Sequence, residues 1–175
     1  MRNHFDEQLV ELNRELIRMG ALCEVILGLT ARALVDADEE ALKMITDMER
    51  IGDQAEDIAE IIPFLGGRTG AECHDIRWMA NAATKMVTDS VEAYVRQNLA
   101  LARAVMQEDD GVDRCFAHVK SALISMVREN ADDGEYALDL LMIAKYFERI
   151  GDHATNIAEW VEFSVTGVHK SEENE

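Results

Sequence analysis

One proline and 6% aromatic residues in 175 leave this chain poor in the side chains that build and punctuate sheets. Its wealth of Ala, Leu, Met and Glu makes an all-helical architecture the default. No apolar run approaches the roughly 18 residues that a membrane-crossing helix needs, and the N-terminus is polar rather than signal-like. A soluble chain, peripheral to a membrane at most, is expected. Basic residues are scarce, 17 against 35 acidic ones for a net charge of −18. That balance excludes a nucleic-acid phosphate backbone as partner, which demands clustered Lys and Arg, and favours cations or basic protein surfaces. The three cysteines, Cys23, Cys73 and Cys115, are scattered without a CxxC pair, so zinc and dithiol chemistry are not indicated and a reduced cytoplasmic setting is. None of the five histidines follows a Glu by three residues, the arrangement that carboxylate-bridged di-metal enzymes require. No nucleophile motif surrounds a Ser or Cys. The chain is not expected to be an enzyme.

What the sequence does contain is a repeat. Glu49-Arg50-Ile51-Gly52-Asp53 returns as Glu148-Arg149-Ile150-Gly151-Asp152, and each copy runs on to an Ile-Ala-Glu ending at Glu60 and Glu159. On a helix the Glu, the Asp and the later Glu of each copy fall within about 40° of one another. Glu49, Asp53 and Glu60 therefore form one carboxylate stripe, and Glu148, Asp152 and Glu159 a second. Ile51, Ala55, Ile58 and Ile62 are expected on the opposite, apolar face. Carboxylates one turn apart can grip a hard cation; equally, a charged stripe can be nothing more than a solvated face, and both readings stand on the residues alone. Gly52 and Gly151 sit inside helices at a cost of roughly 1 kcal/mol each relative to Ala, which suggests the close approach of another backbone. His153 points about 100° away from Asp152 and is expected to support or flank the site rather than ligate.

Taken in order, apolar positions at Leu9, Leu12, Leu16, Met19, Cys23, Ile26, Thr30 and Ala33 predict a first helix over about 4–35. Residues 36–40 are a turn or the start of the next helix, and the first motif helix covers about 41–62. Pro63 and the glycines at 66, 67 and 70 mark a linker, which lacks the Gly-Lys-Ser/Thr of a phosphate loop. A third helix is expected over about 72–107 with Met79, Ala83, Met86, Ala93 and Ala100 on its seam. A turn at Gly111, a fourth helix over 112–129, and a turn over 130–134 with Asp132 or Asp133 as cap follow. The second motif helix runs over about 135–165. The nine methionines fill core gaps, and the last residues form a polar tail.

The doubled Glu-Arg-Ile-Gly-Asp, the opening Met1-Arg2-Asn3-His4-Phe5-Asp6-Glu7-Gln8-Leu9 and the later Leu16-Ile17-Arg18-Met19-Gly20 resemble the PhoU family, accessory regulators of bacterial phosphate-specific transport. The resemblance implies tandem three-helix bundles: a first repeat over 1–62, a linker over 63–70, a second repeat over 71–165, and a tail over 166–175. It further implies a cytoplasmic, non-enzymatic repressor of the phosphate-starvation response that forms homodimers or higher oligomers. Its partners would be a phosphate ABC transporter ATPase and a phosphate sensor histidine kinase. Its metal ligands would be Glu49 and Asp53 in the first copy, Glu148 and Asp152 in the second, holding divalent or trivalent ions such as Mg, Mn, Zn or Fe. A purely structural acidic adaptor without metal is the rival expectation.

The likeness has one gap. About 39 residues separate Asp109 from Glu148, enough for a helix and its turns, whereas only about 11 separate Asp38 from Glu49. The first repeat is therefore expected to be one helix short. A segment absent from this chain, a motif helix packed antiparallel to the first, or one continuous helix over 4–62 would each account for it. A shortened repeat leaves apolar surface uncovered, which points to self-association.

Overall fold

The computed structural model describes residues 2–36, 39–68, 70 and 73–167. The expected turn around residues 37 and 38 and the tail from 168 onward lie outside the described residues. The described elements are α1 (Arg2–Asp36), α2 (Glu39–Ile61), a 3-10 turn (Ile62–Leu65), α3 (Cys73–Arg96), α4 (Leu99–Glu129), a second 3-10 turn (Ala131–Asp133) and α5 (Gly134–Thr166). The fold is all-α, as expected. No third helix stands before residue 62 among the described residues.

The chain divides into two compact units, Met1–Thr46 and Asp47–Glu175. In the first, Leu29, Ala41 and Met44 are buried, with Leu22, Val25, Ile26 and Ala33 half-buried. The seam of α1 is rotated from the expected one: Cys23 and Thr30 are exposed and Met19 lies largely in solvent. The larger aliphatics Leu22 and Leu29 take the inner face, since burying a whole side chain of that size is worth about 2 kcal/mol. Thr30 instead turns its hydroxyl back to the Ile26 carbonyl, 2.9 Å away. The opposite face of α1 leaves Ile17, Leu27 and Leu34 exposed.

The second unit is built on three long helices, each of which packs against the other two. Their shared core contains Met79, Ala83 and Met86 from α3, Val105, Val112 and Val119 from α4, and Leu140, Ile143, Ala154 and Val161 from α5. The end of α2 joins it through Ile58. Ile51 is half-buried, while Ala55 and Ile62 face outward and Gln54 is buried in their stead. Asp47, 8% exposed, accepts from Asn156 Nδ2 at 3.0 Å and meets His153 Nδ1 at 2.9 Å, a buried polar link from α2 to α5. The linker after α2 is anchored, because the Arg68 guanidinium lies 3.8 Å over the Tyr136 ring and donates to Asp133 Oδ1 at 2.8 Å. Asp133 stands at the N-cap of α5 without a capping hydrogen bond. Arg68, first through its hydrogen bond, holds that carboxyl below its ordinary value.

The expected third and fourth helices are divided differently. The break falls at Gln97 and Asn98, and Gly111 lies inside α4. Gln97 adopts a left-handed φ of 50°, and Asn98 caps the new helix by accepting from Leu101 N at 3.1 Å. An Asn N-cap is worth about 1 kcal/mol, and an interior Gly costs about the same, so local preference could not place the break; packing did. Val105 and Val112 are both buried, one helical face running straight through Gly111, whereas Ala100, expected on the seam, is exposed. Asn98→Ala should lower the unfolding free energy by about 1 kcal/mol, measured by urea titration with the denaturant dependence unchanged.

Candidate metal centre

The second motif copy is placed by the buried face of α5. Ile150 and Gly151 point inward, which turns Glu148 and Asp152 toward the flank facing α4. There α4 runs close: a Cβ built on Gly151 would lie 3.3 Å from Asp109 Oδ1 and 3.5 Å from Met86 Cε. The close approach expected at this glycine is real, but side chains make it, a carboxylate from α4 and a thioether from α3. At Gly52 nothing lies within 4 Å of such a Cβ, so that expectation is not met there.

Asp109 is the most perturbed acid of the cluster. Partial burial, then the negative charges of Asp152 and Asp113, push its pKa up to about 6. Thr155 opposes the shift by turning its buried hydroxyl toward Asp109, at a geometry short of a full hydrogen bond. Asp152 is also raised, by desolvation of its carboxyl first and by Glu148 next, with Asp113 adding to both. Glu148, its side chain 13% exposed, is paired with Lys145 one turn earlier, and the Lys145 ammonium lies 5.3 Å from the centre of the Phe116 ring. Four carboxylates from two helices thus share one surface, with Lys145 as the resident counter-ion.

The first copy has a different setting. Glu49 and Asp53 have side chains 59% and 51% exposed, and Arg50 lies between them, 3.6 Å from one and 3.7 Å from the other. Exposed pairs of this kind contribute little to stability. Glu60 is exposed as well. His153 turns away from the acidic cluster to meet Asp47, as its angular offset implied.

Asp109 and Asp113 were missed as candidates from sequence, although they carry the same four-residue spacing as the motif. Reading Gly111 as a turn hid the fact that they occupy one face of one helix. The donor set, all hard carboxylate oxygens on adjacent turns of two helices, suits a hard cation in chemistry, and such a cation would relieve the repulsion that adds to desolvation in raising Asp109 and Asp152. Among the described residues no three His, Cys, Asp or Glu side chains converge into a ready-made metal cage.

Long helices in a three-helix core with an acidic flank bearing oxygen donors define an all-helical bundle protein whose chemistry lies in its surface charge. The PhoU domain model matches residues 76–161. A phosphate-specific transport system accessory protein PhoU homologue from Clostridium acetobutylicum is 32% identical over 163 residues, covering 93% of this chain and 73% of the relative. One from Aquifex aeolicus is 34% identical over 141 residues, covering 80% and 62% respectively. The crystal structure of PhoU from Pseudomonas aeruginosa superposes with a TM-score of 0.73 at 28% identity, covering 93% of this chain and 81% of that one. The chain belongs to the PhoU family.

Two outcomes follow from this geometry. Gly52→Ala should stabilise the fold by about 0.5–1 kcal/mol, the ordinary helix-interior gain. Gly151→Ala should forfeit that gain because Asp109 must move aside, so thermal melts should show Gly52→Ala raised and Gly151→Ala not. The second concerns pH. Asp109 has a folded value of about 6 against an ordinary 3.8, so the folded chain binds the proton more tightly, and stability falls as pH rises through that window. Asp109→Asn should remove this fall and stabilise metal-free protein above pH 6, on the order of 1–2 kcal/mol after allowance for solvent screening. Urea unfolding at pH 4, 5, 6 and 7.5 measures it.

Proposed function

We propose that this chain is a non-enzymatic regulator of phosphate uptake and of the phosphate-starvation response, acting in the cytoplasm by docking on a phosphate ABC transporter ATPase and its sensor histidine kinase. The observation that carries the reading is the kinship with phosphate-specific transport accessory proteins along 93% of the chain. No helix among the described residues is long and apolar enough to cross a membrane, in keeping with a peripheral role. The exposed apolar face of α1, with Ile17, Leu27 and Leu34, supports a homodimer or higher oligomer.

In this reading metal is held at the repeated Glu-x-x-x-Asp motifs. Glu148 and Asp152 are the principal ligands, Asp109 and Asp113 add oxygen donors from α4, and Glu49 and Asp53 form an open second site. A bound Mg, Mn, Zn or Fe ion would supply positive charge that neutralises the carboxylates. Glu148 and Asp152 would hold it, Asp109 would be held in its ionised form, and Lys145 would have to release Glu148. The adaptor reading without metal has its own support, because Lys145 and Arg50 already neutralise part of each copy.

Calorimetric titration of chelator-treated protein with Mg²⁺, Mn²⁺, Zn²⁺ and Fe²⁺ separates the two. Metal binding should raise stability by about 2.7 kcal/mol at a hundredfold excess over Kd, release protons near pH 6, and be lost in Asp152→Ala. Glu162→Ala, on the Arg103 pair, should leave it unchanged. If none of the four ions binds, the metal assignment fails and salt-sensitive docking on a basic surface becomes the reading.

A further inference from the structure

The α4–α5 pair that carries the acidic cluster ends, near its connecting turn, in an apolar groove of about 260 Å³ lined by Leu123, Ile124, Val127, Ala137, Leu138 and Leu141. Leu123 is its buried floor, the small Ala137 leaves it open, and Ile124, Val127 and Leu138 stand 45%, 36% and 63% exposed along its walls. Two charged side chains complete the lining, Lys120 and Arg128. In a chain with twice as many acids as bases, both are cations, and among the described residues neither forms an ion pair. Elsewhere in the same unit Lys85, Arg96, Arg103 and Lys145 are matched to a carboxylate; among the described residues Arg77, Arg114 and Arg149 are not, but they do not line this groove.

We infer that this groove is a docking site for an amphipathic helix of a partner protein, its apolar face seated on Ile124, Leu138 and Leu141 and its flanking carboxylates paired with Lys120 and Arg128. The shape argues for a helix, because two antiparallel helices joined by a short turn present ridges between which a third can lie. Lys120 and Arg128 are about 12 Å apart along α4, two turns of an incoming helix, so one ligand can meet both. Charge argues for acidic flanks: a basic or neutral helix would leave both cations desolvated and unmatched at the rim. The site stands apart from the proposed metal centre and does not depend on it.

Two synthetic peptides of about 18 residues, identical in a leucine face at helical spacing but flanked by Glu in one and by Lys in the other, test this by fluorescence anisotropy against the full chain. The Glu peptide should bind, with a Kd that rises with salt, and the Lys peptide should bind about tenfold more weakly or not at all. Lys120→Glu with Arg128→Glu should reverse the order, and Leu138→Glu should abolish both. All three positions are exposed, and thermal melts establish that the variants stay folded. No binding of either peptide, equal binding of both, or binding indifferent to Leu138→Glu overturns the proposal. So does a homodimer, seen by sedimentation, that Leu138→Glu dissociates, since the occupant would then be a second copy.

Discussion

The contact between Asp109 and Gly151 governs the chemistry of the second unit. Adding one methyl group at residue 151 would bring it to 3.3 Å from the Asp109 carboxylate and 3.5 Å from Met86, so side chains of α3 and α4 close on the α5 backbone there. Two penalties accompany the arrangement, an interior glycine and a carboxylate held where its charged form is disfavoured. The buried residues around it, Met86, Val112, Ile150 and Ala154, offset both, since each large apolar side chain contributes about 2 kcal/mol when fully buried. The core thus sets the distance between α4 and α5, and that distance gathers the acids.

The two motif copies show that five identical residues do not make two identical sites. In the first, Arg50 folds back between Glu49 and Asp53, and the carboxylates remain in solvent. In the second, Lys145 meets Glu148 and Arg149 is exposed, while Asp109 and Asp113 stand on the neighbouring helix; burial first, then the charges of Glu148 and Asp113, raise Asp152. The difference lies in what stands opposite. A second helix supplies carboxylates in one case, and the motif's own arginine supplies a counter-charge in the other.

This is also why the sequence disclosed the fold more readily than the site. Helical content, the two motif helices, the end of α2 just before Pro63 and the long α5 follow from period and composition, which act locally. The partition between α3 and α4 rests on a contest between an Asn cap and an interior Gly of nearly equal local energy, and tertiary burial of Val105 and Val112 settled it. That single uncertainty spread to the site, because Asp109 reads as a loop acid and Asp113 as the start of a different helix once Gly111 is taken for a turn. A four-residue acidic spacing running across Gly111 was the signal available. The rotation of the α1 seam has the same origin: Cys23 and Thr30 fit the period, and Leu22 and Leu29 fit the core better.

The face shared by α4 and α5 carries opposite chemistry at its two ends. On α4 Asp109 and Asp113 are followed one heptad later by Lys120 and then Arg128; on α5, running the other way, Asp152 and Glu148 precede Lys145, Leu141 and Leu138 in space. From Asp113 to Lys120 the helix rises about 10 Å, more than the roughly 8 Å over which charge is felt at physiological ionic strength. The acids therefore do not quench the cations at the groove, and the cations do not relieve the acids. Lys145, 5.3 Å above Phe116, stands between the two ends and is committed to Glu148. Keeping Lys120 and Arg128 unmatched beside an apolar groove, while holding four carboxylates together a few turns away, leaves two surfaces with unmet charge of opposite sign. One calls for a cation and the other for an anion-bearing helix, and the same pair of helices sets the geometry of both.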